Sequence, residues 1–167
     1  MKEELTEAAN EYYEQLGSDK EKLGFSCKQF NTMLKRNCPV WKKFLIGMKE
    51  TGFESVKRSG FFAWHGSSEE AIASICRDGF DPKYRKVQAY GTGEYFSMDI
   101  NVTKNYLKQC SHHIILTYIL NKGQTRVKDR YCYVINNPED FHSTYCLPLF
   151  VFSVGGYIRF NALPIEE

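Results

Sequence analysis

An α+β fold is what this sequence predicts, on three observations. Apolar residues recur at helical spacing through the first third of the chain, and short apolar runs bounded by Gly, Asn and Pro dominate the rest. The stretches between those runs are too uneven in length for a regular doubly wound sheet. With 167 residues the chain can bury roughly two-thirds of its unfolded surface without a metal or disulfide staple. One domain over residues 1–167 is expected, with 1–58 mainly helical and 59–160 forming the β core.

Taken in order, Leu5, Ala8, Ala9, Tyr12, Tyr13 and Leu16 predict an amphipathic helix, with Glu3, Glu4 and Glu7 in its first turn and Gly17 as its stop. Phe30, Met33 and Leu34 predict a second helix. Asn37 as cap and Pro39 in the first turn predict a third, through Val40, Trp41, Phe44, Leu45 and Met48 to Gly52. Phe61 to Trp64 reads as a buried strand entering His65-Gly66. Ser67 and Glu70 then form a capping-box pattern for a short helix closed by Asp78-Gly79. Gly91 to Gly93 is a turn, Glu94 to Met98 a strand, and Asp99 or Asn101 caps a further helix carrying Val102 and Tyr106. Strands are expected at His113–Leu120, Tyr131–Asn136 and Leu147–Val154, with the short Q-T-R-V-K-D-R read as a loop and Pro148 at an edge or bulge.

Composition excludes several functional classes. The net charge of +2 and 25% charged residues argue against disorder and against a polybasic nucleic-acid or membrane patch. No run approaches the ~20 apolar residues that span a bilayer, and M-K-E-E-L-T-E is acidic where a signal peptide is basic and then apolar. An intracellular monomer, cytoplasmic or nuclear, is the expectation. Six cysteines, at 27, 38, 76, 110, 132 and 146, lack C-x-x-C spacing and read as reduced thiols; the adjacent His112 and His113 point to opposite faces of a strand, so no metal site is expected.

Aromatics make up 15% of the chain, and several sit beside Gly, His and Ser, which suggests a ring-lined pocket as well as core. F-F-A-W-H-G-S is followed by A-Y-G-T-G-E-Y-F-S and then by Thr103 and Tyr106. Gly66 lets a ligand lie against backbone N–H and C=O, His65 can hydrogen-bond a hydroxyl, and the tyrosines Tyr95 and Tyr106 can clamp a flat amide-bearing ring. Glu94 alternates away from Tyr95. Lys83, Arg85 and Lys86 read as a solvated charge run rather than a diphosphate site.

These motifs, His65-Gly66-Ser67, Gly91 to Ser97 and Thr103 to Tyr106, resemble in order and spacing the catalytic domain of the poly(ADP-ribose) polymerase family, the diphtheria-toxin-like ADP-ribosyltransferases. The resemblance covers about 60–154, with Asn37 to Phe44 similar to the family's preceding segment. It implies the ADP-ribosyltransferase fold, in which two packed, mainly antiparallel sheets form an NAD cleft. It implies that His65 bonds the adenosine-ribose 2′-hydroxyl of NAD, with Ser67 and Phe96 beside it. Gly66 and Thr103 would hold the nicotinamide carboxamide, and Tyr95 and Tyr106 would sandwich its ring. The family's third catalytic residue, a Glu opening a later strand, is replaced by Tyr131 or Cys132. Tyr131 is favoured by the N-N that follows; Cys132 better preserves the spacing to Tyr145.

That Glu bonds the nicotinamide ribose, steadies an oxocarbenium-like transition state and activates an acceptor sugar, so chain elongation is expected to fail without it. The expectation is a mono-ADP-ribosyltransferase using NAD on protein acceptors, with no metal. Alternatives are an inactive NAD or ADP-ribose-binding or protein-interaction module, and a transferase acting on nucleic-acid ends. An RNA 2′-phosphotransferase would call for a more basic cleft.

Overall fold

The computed structural model describes residues 1–17, 24–85, 91–101, 103, 113–121, 125–129 as backbone, 132–154 and 163. The N-terminal helix α1, Lys2–Glu14, buries Leu5 and Ala9 and lays Tyr12 and Tyr13 on the core, with Leu16 packed there just past its end. The expected second helix is corrected. Phe30 ends a strand, β1 (Phe25–Phe30), and only Met33 and Leu34 sit in a short 3-10 turn, Thr32–Arg36, capped by the Asn31 side chain. Phe25 stacks on Phe152 at 4.7 Å and Phe30 meets Phe150 at 5.7 Å, so pairing with a distant strand decides this segment over its helical spacing.

Helix α2, Pro39–Thr51, starts one residue later than expected: Cys38 is the cap, and Asn37 takes the left-handed conformation that ends the preceding turn. The helix buries Val40, Trp41, Phe44 and Met48 and stops at Gly52, φ +68°. At Gly47 it touches the chain before the last strand so closely that a Cβ would stand 2.2 Å from the Thr144 carbonyl oxygen. A four-residue helix α3, Val56–Ser59, leads into β2, Gly60–Gly66. Helix α4, Glu69–Asp78, is capped by Ser68, whose hydroxyl accepts from the Ala71 N–H, rather than by Ser67.

The remaining strands are β3 (Glu94–Phe96), β4 (His113–Leu120), β5 (Thr125–Asp129), β6 (Cys132–Ile135) and β7 (Cys146–Val154). They form two antiparallel sheets, ordered β1-β7-β4-β2 and β3-β6-β5. The segment read as a loop before residue 131 thus contributes β5. Pro148 lies in a central strand, at a bulge: Leu116 pairs with Phe150 but Thr117 with Pro148.

Every residue of β4 and β7 is buried because the four-stranded sheet is covered on both faces. Ile114, Leu116 and Tyr118 face the cluster made with α1 and α2; Ile115 and Ile119 face the cluster with α4 and, from the small sheet, Phe96 and Ile135. One backbone bridge, Trp64 to Ser97, joins the edge strand β2 to the end of β3.

Candidate active site

The place where β2 and β3 meet and then separate follows from the hydrogen-bond alternation of an antiparallel ladder, in which every second residue turns both its N–H and its C=O to the same side. The Trp64 N–H donates to the Ser97 carbonyl (2.7 Å) and the Ser97 N–H to the Trp64 carbonyl (3.0 Å), so Trp64 faces away from β4. Gly66, two residues on, therefore presents its N–H and C=O on that same side. Its counterpart in a continued ladder would be Tyr95. The Tyr95 carbonyl, however, accepts from His65 Nδ1 at 2.8 Å, and the two strands part there. Gly66 is left without a ladder partner on that side among the described residues.

Because a carbonyl can only accept, Nδ1 of His65 carries the ring proton and Nε2 is an acceptor. Burial pushes the His65 pKa down from 6.5 to about 4, so the ring is neutral at pH 7. Phe80 and Phe96 hold it edge-on and tilted, with centroids at 4.9 and 5.3 Å. The unfolded chain binds a proton at this histidine before the folded chain does. The resulting stability is complete above about pH 6.5 and is lost as pH falls toward 4. In urea titrations at pH 7, 5.5 and 4, the gap between the wild type and His65→Gln should narrow as the pH drops; parallel profiles would show an imidazole that is not desolvated.

Tyr95 projects from β3 on the side opposite Glu94 and Phe96, half-buried, and its hydroxyl donates to the Gly91 carbonyl at 2.7 Å. The turn before it needs glycine. Gly93 has φ +152°, and a Cβ there would stand 2.6 Å from the Ile135 carbonyl oxygen. Phe96 is 3% exposed and sits behind the imidazole, so its place is as a support for His65 rather than as cleft surface. Ser67 is half-buried between Gly66 and the capping Ser68. Thr103 is buried, its N–H on the Asp99 carbonyl at 3.4 Å, and Asp99 accepts from the Asn101 N–H as the expected cap.

Tyr106 and Tyr131 lie outside the described residues. Cys132 opens β6. Because Val134 pairs with Tyr95, Cys132, two residues earlier, shares the face of Tyr95. A thiol there offers one weak donor.

Of the solvated run expected at Lys83, Arg85 and Lys86, Arg85 is corrected, and Lys86 lies outside the described residues. Lys83 is exposed beside Asp81, but Arg85 is only 6% exposed and forks onto Glu94, itself 8% exposed, at 2.7 and 3.1 Å. Arg85 also donates to the Asn137 carbonyl (3.0 Å), and Asn137 Nδ2 donates to Glu94 (2.6 Å). Sequence reasoning missed this node. The available signal was the pairing of a basic and an acidic residue at the two ends of one Gly-containing loop.

Comparison with known proteins gives a family and a fold. The family model for the poly(ADP-ribose) polymerase catalytic domain matches residues 41–148. Among solved structures, the PARP domain of Arabidopsis RADICAL-INDUCED CELL DEATH1 is similar with a TM-score of 0.56 at 14% identity, covering 90% of this chain and 99% of that one. No curated protein sequence matches. With two antiparallel sheets and a family match across more than half its length, the chain belongs to the poly(ADP-ribose) polymerase catalytic-domain family.

Proposed function

We propose that the protein is an NAD-dependent mono-ADP-ribosyltransferase that moves one ADP-ribose unit from NAD to a protein side chain and releases nicotinamide. The observation that carries this reading is the open edge at Gly66 beside a neutral His65. A carboxamide needs one donor and one acceptor side by side, which Gly66 offers from its backbone; a ribose hydroxyl needs an acceptor, which Nε2 of His65 offers. Tyr95, with its hydroxyl tied to Gly91, gives the nicotinamide ring a fixed face.

In the reaction the bond from the ribose anomeric carbon to the nicotinamide nitrogen breaks, and its electron pair leaves with nicotinamide, which becomes neutral. The acceptor forms the new bond to that carbon and gives up its proton to solvent or to a base of its own. Holding the sugar and ring in position accounts for the catalysis this chain supplies, since no carboxylate occupies the third position to activate a second sugar. Cys132 shares the face of Tyr95, and in this reading it borders the ribose if Tyr131 does not. The absent carboxylate also favours a second reading, a module that binds NAD or ADP-ribose without turnover.

Incubation with labelled NAD should give automodification in single units. Polymer ladders would sink the mono-transfer reading. Absence of label with an NAD-dependent rise in melting temperature would select the binding module, and absence of both would overturn NAD recognition. His65→Ala should weaken NAD binding about 5- to 150-fold, the roughly 1–3 kcal/mol of a polar contact left unmade, as read by calorimetric titration.

A further inference from the structure

Arg85 and Glu94 close the two ends of the loop that leads into Tyr95, and their contacts extend to two further parts of the chain. The fork of Arg85 holds Glu94 and the Asn137 carbonyl together. Asn137 returns a bond to Glu94, and its side-chain oxygen accepts from the Tyr145 N–H at 2.8 Å and the Thr144 hydroxyl at 3.3 Å. One buried polar node therefore joins the loop's entry, its exit, the end of β6 and the start of β7.

We infer that this clasp is a positioning device for Tyr95, setting the height at which its ring meets the nicotinamide side of NAD; the inference rests on the NAD reading proposed above. Two constraints converge on the residues before the ring. Gly93 is pressed against the Ile135 carbonyl on β6, and Glu94 is clamped from the other side by Arg85. Tyr95 then has its carbonyl on His65 and its hydroxyl on Gly91, so a shift of Glu94 moves the ring and the histidine's partner together. An apolar pair could fill the same space, but it would carry no direction. The planar fork of arginine fixes both the angle and the register of the carboxylate it holds.

The test is the double variant R85M/E94L, because buried ion pairs replaced by apolar residues of similar volume often keep stability. Its melting temperature is expected to fall by only a few degrees, since apolar volume replaces the ion pair while the Asn137 carbonyl and side-chain amide lose Arg85 and Glu94 as partners. Its NAD dissociation constant should rise at least about tenfold, a displacement of the ring that costs one decade of affinity, and amide exchange across residues 91–97 should quicken while β4 stays protected. Arg85→Lys, which keeps the charge and loses the fork, should shift both readouts in the same direction, and it stands in if the double variant does not fold. Wild-type exchange at 91–97 with wild-type NAD affinity in either variant overturns the inference. If the wild type itself binds no NAD, faster exchange in the variant still sustains the positioning role, while the proposed function falls.

Discussion

Trp64→Ala is expected to destabilise the protein by about 3–5 kcal/mol, the range for removing a fully buried large aromatic. The indole is 1% exposed and touches Tyr12 of α1, Phe25 of β1 and Phe152 of β7, with centroids at 6.2, 5.9 and 5.2 Å. Three separate elements thus lose a common neighbour, and none can move in without breaking its own packing. At 2–4 °C per kcal/mol for a chain of this size, the melting temperature should drop by roughly 6–20 °C. Trp64→Phe should cost less than half as much. The indole N–H lies near the Tyr12 hydroxyl but makes no hydrogen bond among the described residues, so the substitution removes volume and not a polar contact. Near-ultraviolet circular dichroism checks this; a loss below 1 kcal/mol for the alanine variant would mean that the three elements do not pack on Trp64 as described.

The second large effect concerns single substitutions in the Arg85–Glu94 pair. Removing one partner of a buried ion pair typically costs about 3–5 kcal/mol, because the remaining charge stays desolvated. Each half keeps one partner when the other is removed: Glu94 retains the Asn137 side-chain amide and Arg85 retains the Asn137 carbonyl. Chemical denaturation of Arg85→Met and Glu94→Gln at pH 7 measures both deficits. Equal and small deficits for both variants would show that the pair is hydrated in solution.

The parts of the fold that could be read from the residues are those whose causes are local. The His65-Gly66 strand end, the glycine turn and the opposite directions of Glu94 and Tyr95 all depend on backbone alternation and on which residue lacks a Cβ. Helix starts were legible to within a residue: the caps fall on Cys38 and Ser68, each one position after the Asn37 and Ser67 read from the sequence. β1 was not legible. F-S-C-K-Q-F has weak alternation, and what makes it a strand is Phe150 and Phe152, more than a hundred residues away. Arg85 escaped for the same reason, because its burial depends on Asn137 and on the far side of the loop. Of the candidate site, His65, Gly66 and Tyr95 fall where β2 and β3 diverge, Cys132 opens β6 on the Tyr95 face, and Phe96 lies behind His65.

The pairing of β1 with β7 also sets an order of events in time. Phe25 lies opposite Val154, and β7 sits between β1 and β4 in the sheet. During synthesis, at roughly 5–20 residues per second, β1 emerges early and must wait for nearly the whole chain before it has a partner. Contacts this distant in sequence slow folding, and until β7 arrives the apolar edge of β4 is open to other chains. A fragment cut at residues 41–148 would never close that edge: it lacks β1 and keeps only the first three residues of β7. Such a fragment should collect in the insoluble fraction even though every strand that carries His65, Tyr95 and Cys132 is intact within it.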